Sequence, residues 1–214
     1  MSDPRDVALA KSFPILGVPR FGTFEPLTTN GQRLLVTASG FFLEVRRDWL
    51  YAVQPCGIPL GMVKYPFGEI LPVTQLSFGK IPRALVEQFI AIARNALPNE
   101  VAGAIVFHAN TGKLELRIFE SLQASKAHVR YAMPSLAPGE HIAVDIHSHG
   151  DMPAFFSAVD DKDDSSATKL AAVVGCVGKD QPDVEVRLCL SGLFIPIHYA
   201  QEQLNHAFTS LYSE

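Results

Sequence analysis

Apolar side chains recur at helical spacing in one stretch of the chain, between Ile81 and Leu97. They follow one another at intervals of three or four residues, as one face of an α-helix requires: Leu85, Phe89, Ile92 and Ala96. Pro82 suits a first helical turn, and Pro98 ends the pattern. The spacing therefore predicts a helix over residues 81–97.

Strand-like runs follow this helix, at residues 101–109, 114–121, 129–133 and 141–149. The turn sequence Asn110-Thr111-Gly112 predicts that the first two runs form a hairpin. A polar stretch over residues 160–169 is suited to begin a second helix, and two more apolar runs follow it at 170–177 and 184–190. This order of elements predicts an α+β (mixed α/β) domain built around one sheet.

The first 79 residues have a different pattern, which is rich in glycine and proline. Short apolar runs lie between turn signals at residues 34–36, 41–43 and 49–53. They predict a β-rich N-terminal extension or small domain, whose simplest role is to stabilise the rest of the chain. We expect three regions in all: the extension at 1–79, a main domain at 80–200 and a C-terminal tail at 201–214.

Composition narrows the classes of function. The 214 residues are 48% hydrophobic, which is enough for a core, and the net charge of −4 without a Lys/Arg cluster argues against nucleic-acid binding. Three cysteines at wide spacing favour free thiols in a reducing compartment: Cys56, Cys176 and Cys189. No apolar stretch has the length of a membrane span, so we expect a soluble, cytoplasmic protein that does not bind membranes.

Two histidines lie close together at the end of the run 141–149. Strict alternation would place Ile142, Val144 and Ile146 on one face of this strand. The other face would then hold every second residue: His141, Ala143, Asp145, His147 and His149. Such a pair alone is weak support for a metal site, because strand histidines are often polar edge residues. Asp145, on the same face, is placed to orient one of the histidines.

Residues further along strengthen the case for a metal. Ser157 and Asp160 complete the pattern His-x-His-x7-Ser-x2-Asp, which chance rarely produces. Two imidazoles and one carboxylate leave a fourth position open, which is the arrangement of catalytic rather than structural zinc (Zn²⁺). Zinc of this kind lowers the pKa of a bound water to about 7. The pattern therefore predicts zinc ligands at His147, His149 and Asp160.

The run HSHGDMPAFFSAVD is similar to the signature of the JAMM/MPN-plus (JAB1/Mov34) metallopeptidases. The resemblance covers roughly residues 80–200. It implies a cytidine-deaminase-like MPN/JAB domain, with one central sheet flanked by helices, that cleaves peptide or isopeptide bonds. Family members also use a distant glutamate as general base, and Pro98-Asn99-Glu100-Val101-Ala102-Gly103 resembles the family's Pro-x-Glu-x-x-Gly element. Glu100 is thus the predicted base, while Glu120 and Glu140 remain open.

Ser157 resembles the family serine that helps to hold a substrate oxyanion. Its plainer role is to cap the helix that follows, and the two roles are compatible. Gly150 stands where many family members have proline, which predicts a more flexible ligand loop. The run AFFSAVDDKDD, together with the N-terminal extension, most resembles the family members of the bacterial PRTRC system. That resemblance implies a protein substrate, namely a ubiquitin-like protein or its conjugate.

Two other functions fit parts of the pattern. An MPN domain can act as a non-catalytic scaffold or binding module, although here the ligands, the serine and a glutamate are all present. The run Asp145-Ile146-His147-Ser148-His149 also resembles the first-strand motif of PHP-type phosphoesterases. Those barrels need further His and Asp ligands, and too few residues follow His149 to supply them.

Overall fold

A computed structural model of the chain describes residues 3–57, 64–124, 129–131 and 134–197, with the backbone alone given for residues 121–124 and 129–131. Within these ranges the chain forms three helices and thirteen strands. It divides into two compact units, Met1–Ser77 and Phe78–Glu214. None of the helices in the described part of the chain has the length and apolar character that a membrane span needs. The predicted tail at 201–214 lies outside the described residues.

The N-terminal unit is one helix and a five-stranded sheet. Its elements are α1 (Pro4–Ser12), β1 (Ile15–Gly17), β2 (Gly31–Val36), β3 (Phe41–Arg47), β4 (Leu50–Pro55) and β5 (Val73–Leu76). The strands follow chain order across the sheet, with β1 and β2 parallel and the other pairs antiparallel. Side chains from this sheet and the adjoining loop form the core: Val18, Leu35, Phe42 and Val53.

The first two apolar runs predicted near the N-terminus lie within β2 and β3, and the third lies in β4 except for Trp49, which precedes the strand. Helix α1 is absent from the sequence predictions, and its structure gives the reason. It buries no residue, so it has no apolar stripe that periodicity could reveal. The Asp3 side chain caps it by accepting from the Arg5 amide at 2.8 Å.

The C-terminal unit is built on a six-stranded mixed sheet. Its elements are α2 (Arg83–Ala96), β6 (Ala102–His108), β7 (Lys113–Ile118), β8 (Ser121–Ala124), β9 (Val129–Tyr131), β10 (Glu140–Ser148), α3 (Ala158–Asp164), β11 (Thr168–Gly175), β12 (Asp183–Leu190) and β13 (Leu193–Pro196). The sheet order is β13-β12-β11-β10-β6-β7, with β10 and β11 parallel, and β8 and β9 form a separate ribbon.

The mixed α+β class predicted from the sequence is confirmed, with differences at the ends of elements. Pro82 is the N-cap of α2, so the helix begins at Arg83 instead of including the proline. The helix predicted at residues 160–169 is α3, which begins before that stretch, at Ala158, and ends at Asp164. The last residues of that stretch belong to β11, which starts at Thr168. The short strand β13 has no counterpart among the predictions.

A bulge in β10 changes which side chains share a face of the sheet. The register with β6 shifts between Ile142 and Val144, so that β10 has one extra residue at this point. Strict alternation predicts His141 and His147 on the same face. Their partners on β6 are five positions apart, an odd number, so the two histidines lie on opposite faces. The predicted face is therefore wrong for His141.

Candidate metal centre

His147 lies near the end of β10 and His149 just beyond it, and their rings are close together. The two Nε2 atoms are 3.2 Å apart. The Nδ1 atom of His149 lies 3.3 Å from the carbonyl oxygen of Pro153, which can only accept, so Nδ1 carries the proton and Nε2 keeps its lone pair. Burial lowers the pKa of His147, although the charge of Asp160 opposes the shift. Both imidazoles are thus suited to bind a cation.

Asp160 reaches the histidines from the first turn of α3, which Ser157 caps. The hydroxyl and the amide of Ser157 donate to Asp160 Oδ2 at 2.6 and 2.7 Å. The other carboxylate oxygen, Oδ1, lies 3.6 Å from His147 Nε2. Ser157 therefore has the predicted capping role and holds the carboxylate with one oxygen toward the histidines. Its contact with a substrate oxyanion stays a prediction.

The loop that follows His149 is tied to the end of β11. Three backbone hydrogen bonds of 2.7–2.8 Å make this connection: His149 N to Val174 O, Cys176 N to Met152 O and Val177 N to Gly150 O. Gly150 has a φ of +56°, which proline cannot adopt, and this explains the absence of proline here. A Cβ at Gly175 would lie 2.1 Å from the Ala154 amide nitrogen. The ligand loop is thus held in place, contrary to the flexibility that its sequence predicts.

Glu100 lies between α2 and β6 and is 6% exposed. Burial, and then the negative charge of Asp160, raise the pKa of Glu100 to about 7. The adjacent Val101 is bound twice by Ser148, the residue between the two histidines. Val101 N donates to Ser148 Oγ at 2.9 Å, and Ser148 N donates to Val101 O at 2.9 Å. The backbone beside Glu100 is therefore attached directly to the segment that carries the histidines.

The other two carboxylates that the sequence leaves open are less suitable as a base. Glu140 begins β10, seven residues before His147, a distance of roughly 23 Å along an extended strand. Arg117 donates to both of its oxygens, at 2.7 and 2.6 Å, and lowers the pKa of Glu140 to about 2. Glu120 is exposed. Among the three, Glu100 alone combines burial, proximity to Asp160 and a raised pKa.

A second group of possible metal ligands lies at the far end of β10: His108, Glu115 and Glu140. A cation from the protein already occupies this group, because the Arg117 guanidinium pairs with both glutamates. His108 completes the cluster through contacts of 2.9 Å to Glu115 and 3.4 Å to Glu140. We interpret this group as an ion-pair network at the edge of the sheet.

The donor atoms of His147, His149 and Asp160 fit a metal ion. They lie within 4.8 Å of one another, and no arginine or lysine is paired with this group among the described residues. Two neutral imidazoles and one carboxylate oxygen are the ligand types of catalytic zinc, with a fourth position left for water or substrate. None of the three cysteines, all of which are described, belongs to this group of ligand atoms.

Buried charges beside these ligands are missing from the sequence predictions. The Lys169 ammonium lies 2.5 Å from Asp145 and 2.6 Å from Asp164. Asp145, predicted to orient a histidine, thus has a lysine as its ion-pair partner. The signals in the sequence are weak: Asp164 follows Asp160 by one helical turn, Lys169 precedes an apolar run, and Arg187 lies between apolar residues.

Comparisons with known proteins match both units. Residues 82–189 match the family described as prokaryotic homologs of the JAB domain, and residues 3–77 match a domain of unknown function, DUF2016. A solution structure of a protein from Desulfitobacterium hafniense is similar, with 21% sequence identity and a TM-score of 0.41. That similarity covers 54% of this chain and 86% of the other. No curated protein matches the chain.

Proposed function

The chain belongs to the family of prokaryotic homologues of the JAB domain, and from this premise we propose that it is a zinc-dependent hydrolase of the JAMM type. The bond that it cleaves is a peptide or isopeptide bond. The observation that carries the proposal is the convergence of His147, His149 and Asp160, whose ligand atoms lie within 4.8 Å of one another. A buried carboxylate with a pKa of about 7, Glu100, accompanies them.

Zinc held by these three side chains would supply a nucleophilic water at neutral pH and would polarise the carbonyl of the scissile bond. The protein has to orient each ligand so that its binding atom faces the site. The carbonyl of Pro153 does so for His149, because it accepts from Nδ1 and leaves Nε2 free to bind. The serine hydroxyl at 157 does so for Asp160, because it occupies Oδ2 and leaves Oδ1 toward the histidines.

Glu100 is the general base and acid in this proposal. Its carboxylate accepts a proton from the attacking water and then delivers it to the leaving amine. A group performs both transfers best when its pKa lies near the working pH, and burial beside Asp160 raises the pKa of Glu100 to about 7. The two bonds between Ser148 and Val101 keep the backbone beside Glu100 in register with the histidines.

The substrate in this proposal is the C-terminal region of a ubiquitin-like protein or its conjugate, in a bacterial system of the PRTRC kind. Two features of the chain support this narrower assignment. One is the run AFFSAVDDKDD, which contains Ser157, Asp160 and Asp164. The other is the N-terminal unit, which matches a family of its own ahead of the JAB domain. A nucleic-acid substrate is disfavoured by the net charge of −4.

The experiment pairs metal content with cleavage. Purified protein is analysed for zinc and is then incubated with a ubiquitin-like protein that carries a C-terminal extension. We expect one zinc per chain and loss of the mass of the extension, with no cleavage by the His147→Ala variant. A metal-free protein, or a substrate mass that stays unchanged under zinc-loaded conditions, would contradict the proposal.

A non-catalytic JAB module is the alternative, and one observation favours it. A serine hydroxyl has a single proton to donate, and that of Ser157 is donated to Asp160 Oδ2. The predicted stabilisation of an oxyanion therefore requires the hydroxyl to turn from Asp160 to the substrate. The binding module predicts an intact ubiquitin-like partner that copurifies or binds, whereas the hydrolase predicts a shortened one.

A further inference from the structure

Helix α3 carries Asp160, yet it is attached to the sheet through charge and not through apolar side chains. Of its seven residues, all of them described, Asp164 alone is buried, with 4% of its surface exposed. A helix of this length is not stable by itself. The place of α3 on the sheet, and with it the place of Asp160, therefore depends on the ion pairs of Asp164 and on that of the half-exposed Asp161 with Arg187.

Cations from two neighbouring strands bind both carboxylate oxygens of Asp164. Lys169 Nζ on β11 lies 2.6 Å from Oδ1, and Arg187 Nη2 on β12 lies 2.7 Å from Oδ2. The Arg187 guanidinium also lies over the rings of Phe156 and Phe194, at 3.9 and 4.1 Å from their centroids. Its orientation is thus fixed independently of the carboxylate. The buried side of α3 is therefore held by two ion pairs of Asp164, one to β11 and one to β12.

Lys169 has a second partner, and that partner belongs to the strand of the histidines. Its Nζ atom lies 2.5 Å from Oδ2 of Asp145, two residues before His147 on β10. The side chains of Lys169, Asp145 and Asp164 are all at most 16% exposed, so these pairs are shielded from water. One ammonium group therefore joins the strand that holds the histidines to the helix that holds Asp160.

The spacing on the two elements agrees. Asp160 and Asp164 are one turn apart on α3, which is about 6 Å along the helix axis. His147 and Asp145 are two residues apart on β10, which is about 6.6 Å along the strand. Lys169 holds Asp145 and Asp164 close together. Because His147 and Asp160 lie at similar distances from these two residues, each on its own element, they are brought opposite each other. The observed distance between His147 Nε2 and Asp160 Oδ1 is 3.6 Å.

We propose that Lys169 is a positioning residue of the metal centre: it bridges Asp145 and Asp164, docks α3 against β10 and so sets Asp160 opposite His147. This inference rests on the proposed zinc site. The buried charges are balanced, with Asp145 and Asp164 against Lys169 and Arg187. Removing Lys169 alone would leave two carboxylates to one guanidinium, which favours rearrangement or unfolding.

A charge-balanced double variant avoids that problem. Asp145→Asn combined with Lys169→Met breaks the bridge, removes one charge of each sign and leaves the pair of Asp164 with Arg187 intact. We expect this variant to fold and to bind Co²⁺ 10- to 100-fold more weakly, the usual cost of losing a group that orients a ligand. Its Co²⁺ absorption spectrum should shift toward that of Asp160→Asn. Wild-type affinity together with a wild-type spectrum would overturn the proposal.

The matched control is the double variant Arg117→Met with Glu140→Gln, which removes an ion pair and one charge of each sign at the opposite end of the same strand, and which also takes one carboxylate away from the His108 group. It should leave the affinity for Co²⁺ and the absorption spectrum unchanged, since it touches β10 far from the ligands. A comparable loss of affinity in this control would show that any damaged ion pair on β10 weakens the site. That result would also overturn the specific role of Lys169.

Hydrogen exchange of the metal-free protein tests the docking of α3 without reference to metal. We expect amides of residues 158–164 to exchange at least ten times faster in the double variant, while β10 and β11 stay protected. Unchanged exchange in α3 would overturn the bridge. If the wild type binds no Co²⁺, the proposed zinc site fails, and the exchange result still decides whether Lys169 docks the helix.

Discussion

Each of the two compact units buries a glutamate, and the two glutamates have opposite surroundings. In the N-terminal unit Glu44 is fully buried and accepts from the Leu27 amide at 2.7 Å, the Tyr51 hydroxyl at 3.1 Å and the Arg33 guanidinium. In the C-terminal unit Glu100 is nearly as buried, but its carboxylate has no hydrogen-bond donor among the described residues. Asp160 instead adds a negative charge nearby.

Burial alone therefore does not mark a functional carboxylate. Glu44 has donors for its oxygens, so it serves to hold a loop and two strands together. Glu100 lacks such partners, so its pKa rises to about 7 and its proton can be exchanged at neutral pH. The N-terminal unit therefore surrounds its glutamate with hydrogen-bond donors, whereas the C-terminal unit leaves its glutamate without a donor among the described residues.

The largest expected effect is the loss of metal binding, which we expect in the C-terminal unit. His147→Ala, His149→Ala and Asp160→Ala should each abolish tight zinc binding, because each removes one of three protein ligands. Elemental analysis of the purified variants measures this directly. His108→Ala, in the group filled by Arg117, is the control and should retain one zinc per chain. Full zinc occupancy in any two of the three ligand variants would exclude this ligand set.

The contrast between the glutamates predicts that one substitution has opposite effects on stability. Glu44→Gln should lower the free energy of unfolding by about 3–5 kcal/mol, because it leaves the half-buried Arg33 charge without its carboxylate. Trp49, the single tryptophan of the chain, lies in this unit, so its fluorescence during urea denaturation follows this unfolding. Glu69→Gln, an exposed position in the same unit, should change stability by at most about 0.5 kcal/mol. Equal stability of the two variants would remove the structural role of Glu44.

Glu100→Gln should instead stabilise the metal-free protein at high pH. The pKa of Glu100 is about 7 in the folded chain against 4.5 ordinarily, so the folded state binds the proton more tightly and loses stability as the pH rises between these values. The variant lacks this loss, so it should gain about 3 kcal/mol over the wild type at pH 8 relative to pH 4. Denaturation followed by circular dichroism in the presence of chelator tests this. A difference between the two proteins that is the same at both pH values would contradict the raised pKa.

Ser157→Ala should have the smallest effect on stability. Loss of the helix cap should cost about 1 kcal/mol of unfolding free energy. Because the same hydroxyl holds Asp160 Oδ2, zinc should stay bound with roughly tenfold lower affinity, and turnover should fall. Ser165→Ala, at the other end of α3, is the control, since among the described residues its hydroxyl bonds only the Lys162 carbonyl. A zinc affinity equal to that of the control would limit Ser157 to capping.

The sequence predicts those parts of the fold in which the apolar pattern is long and regular. Helix α2 and strands β10, β11 and β12 have such patterns, and they were expected within a few residues of their observed ends. Strands β1 and β13 have three and four residues, which is too short for a period to be recognised. The bulge in β10 is also invisible to strict alternation, because it depends on pairing with β6.

The candidate site likewise contains residues that the sequence predicts and residues that it does not. Residues close together in sequence, from His147 to Asp160, form a motif that can be read directly. Lys169 could not be assigned a role, because its partner Asp145 is 24 residues away and is reached only through the register of β10 and β11. Gly150 led to the wrong expectation of a flexible loop, since the bonds that hold this loop come from the end of β11.

The turnover of Glu100→Gln, measured beside its zinc content, tests whether Glu100 transfers the proton in a zinc-dependent cleavage. Glutamine keeps the size of the side chain but cannot transfer the proton, so we expect one zinc per chain in both the wild type and the variant. We also expect the variant to cleave a ubiquitin-like protein that carries a C-terminal extension at least about 100-fold more slowly than the wild type does. Cleavage at the wild-type rate by zinc-loaded Glu100→Gln would contradict the role of Glu100 as general base and would direct the search for the base to Glu120.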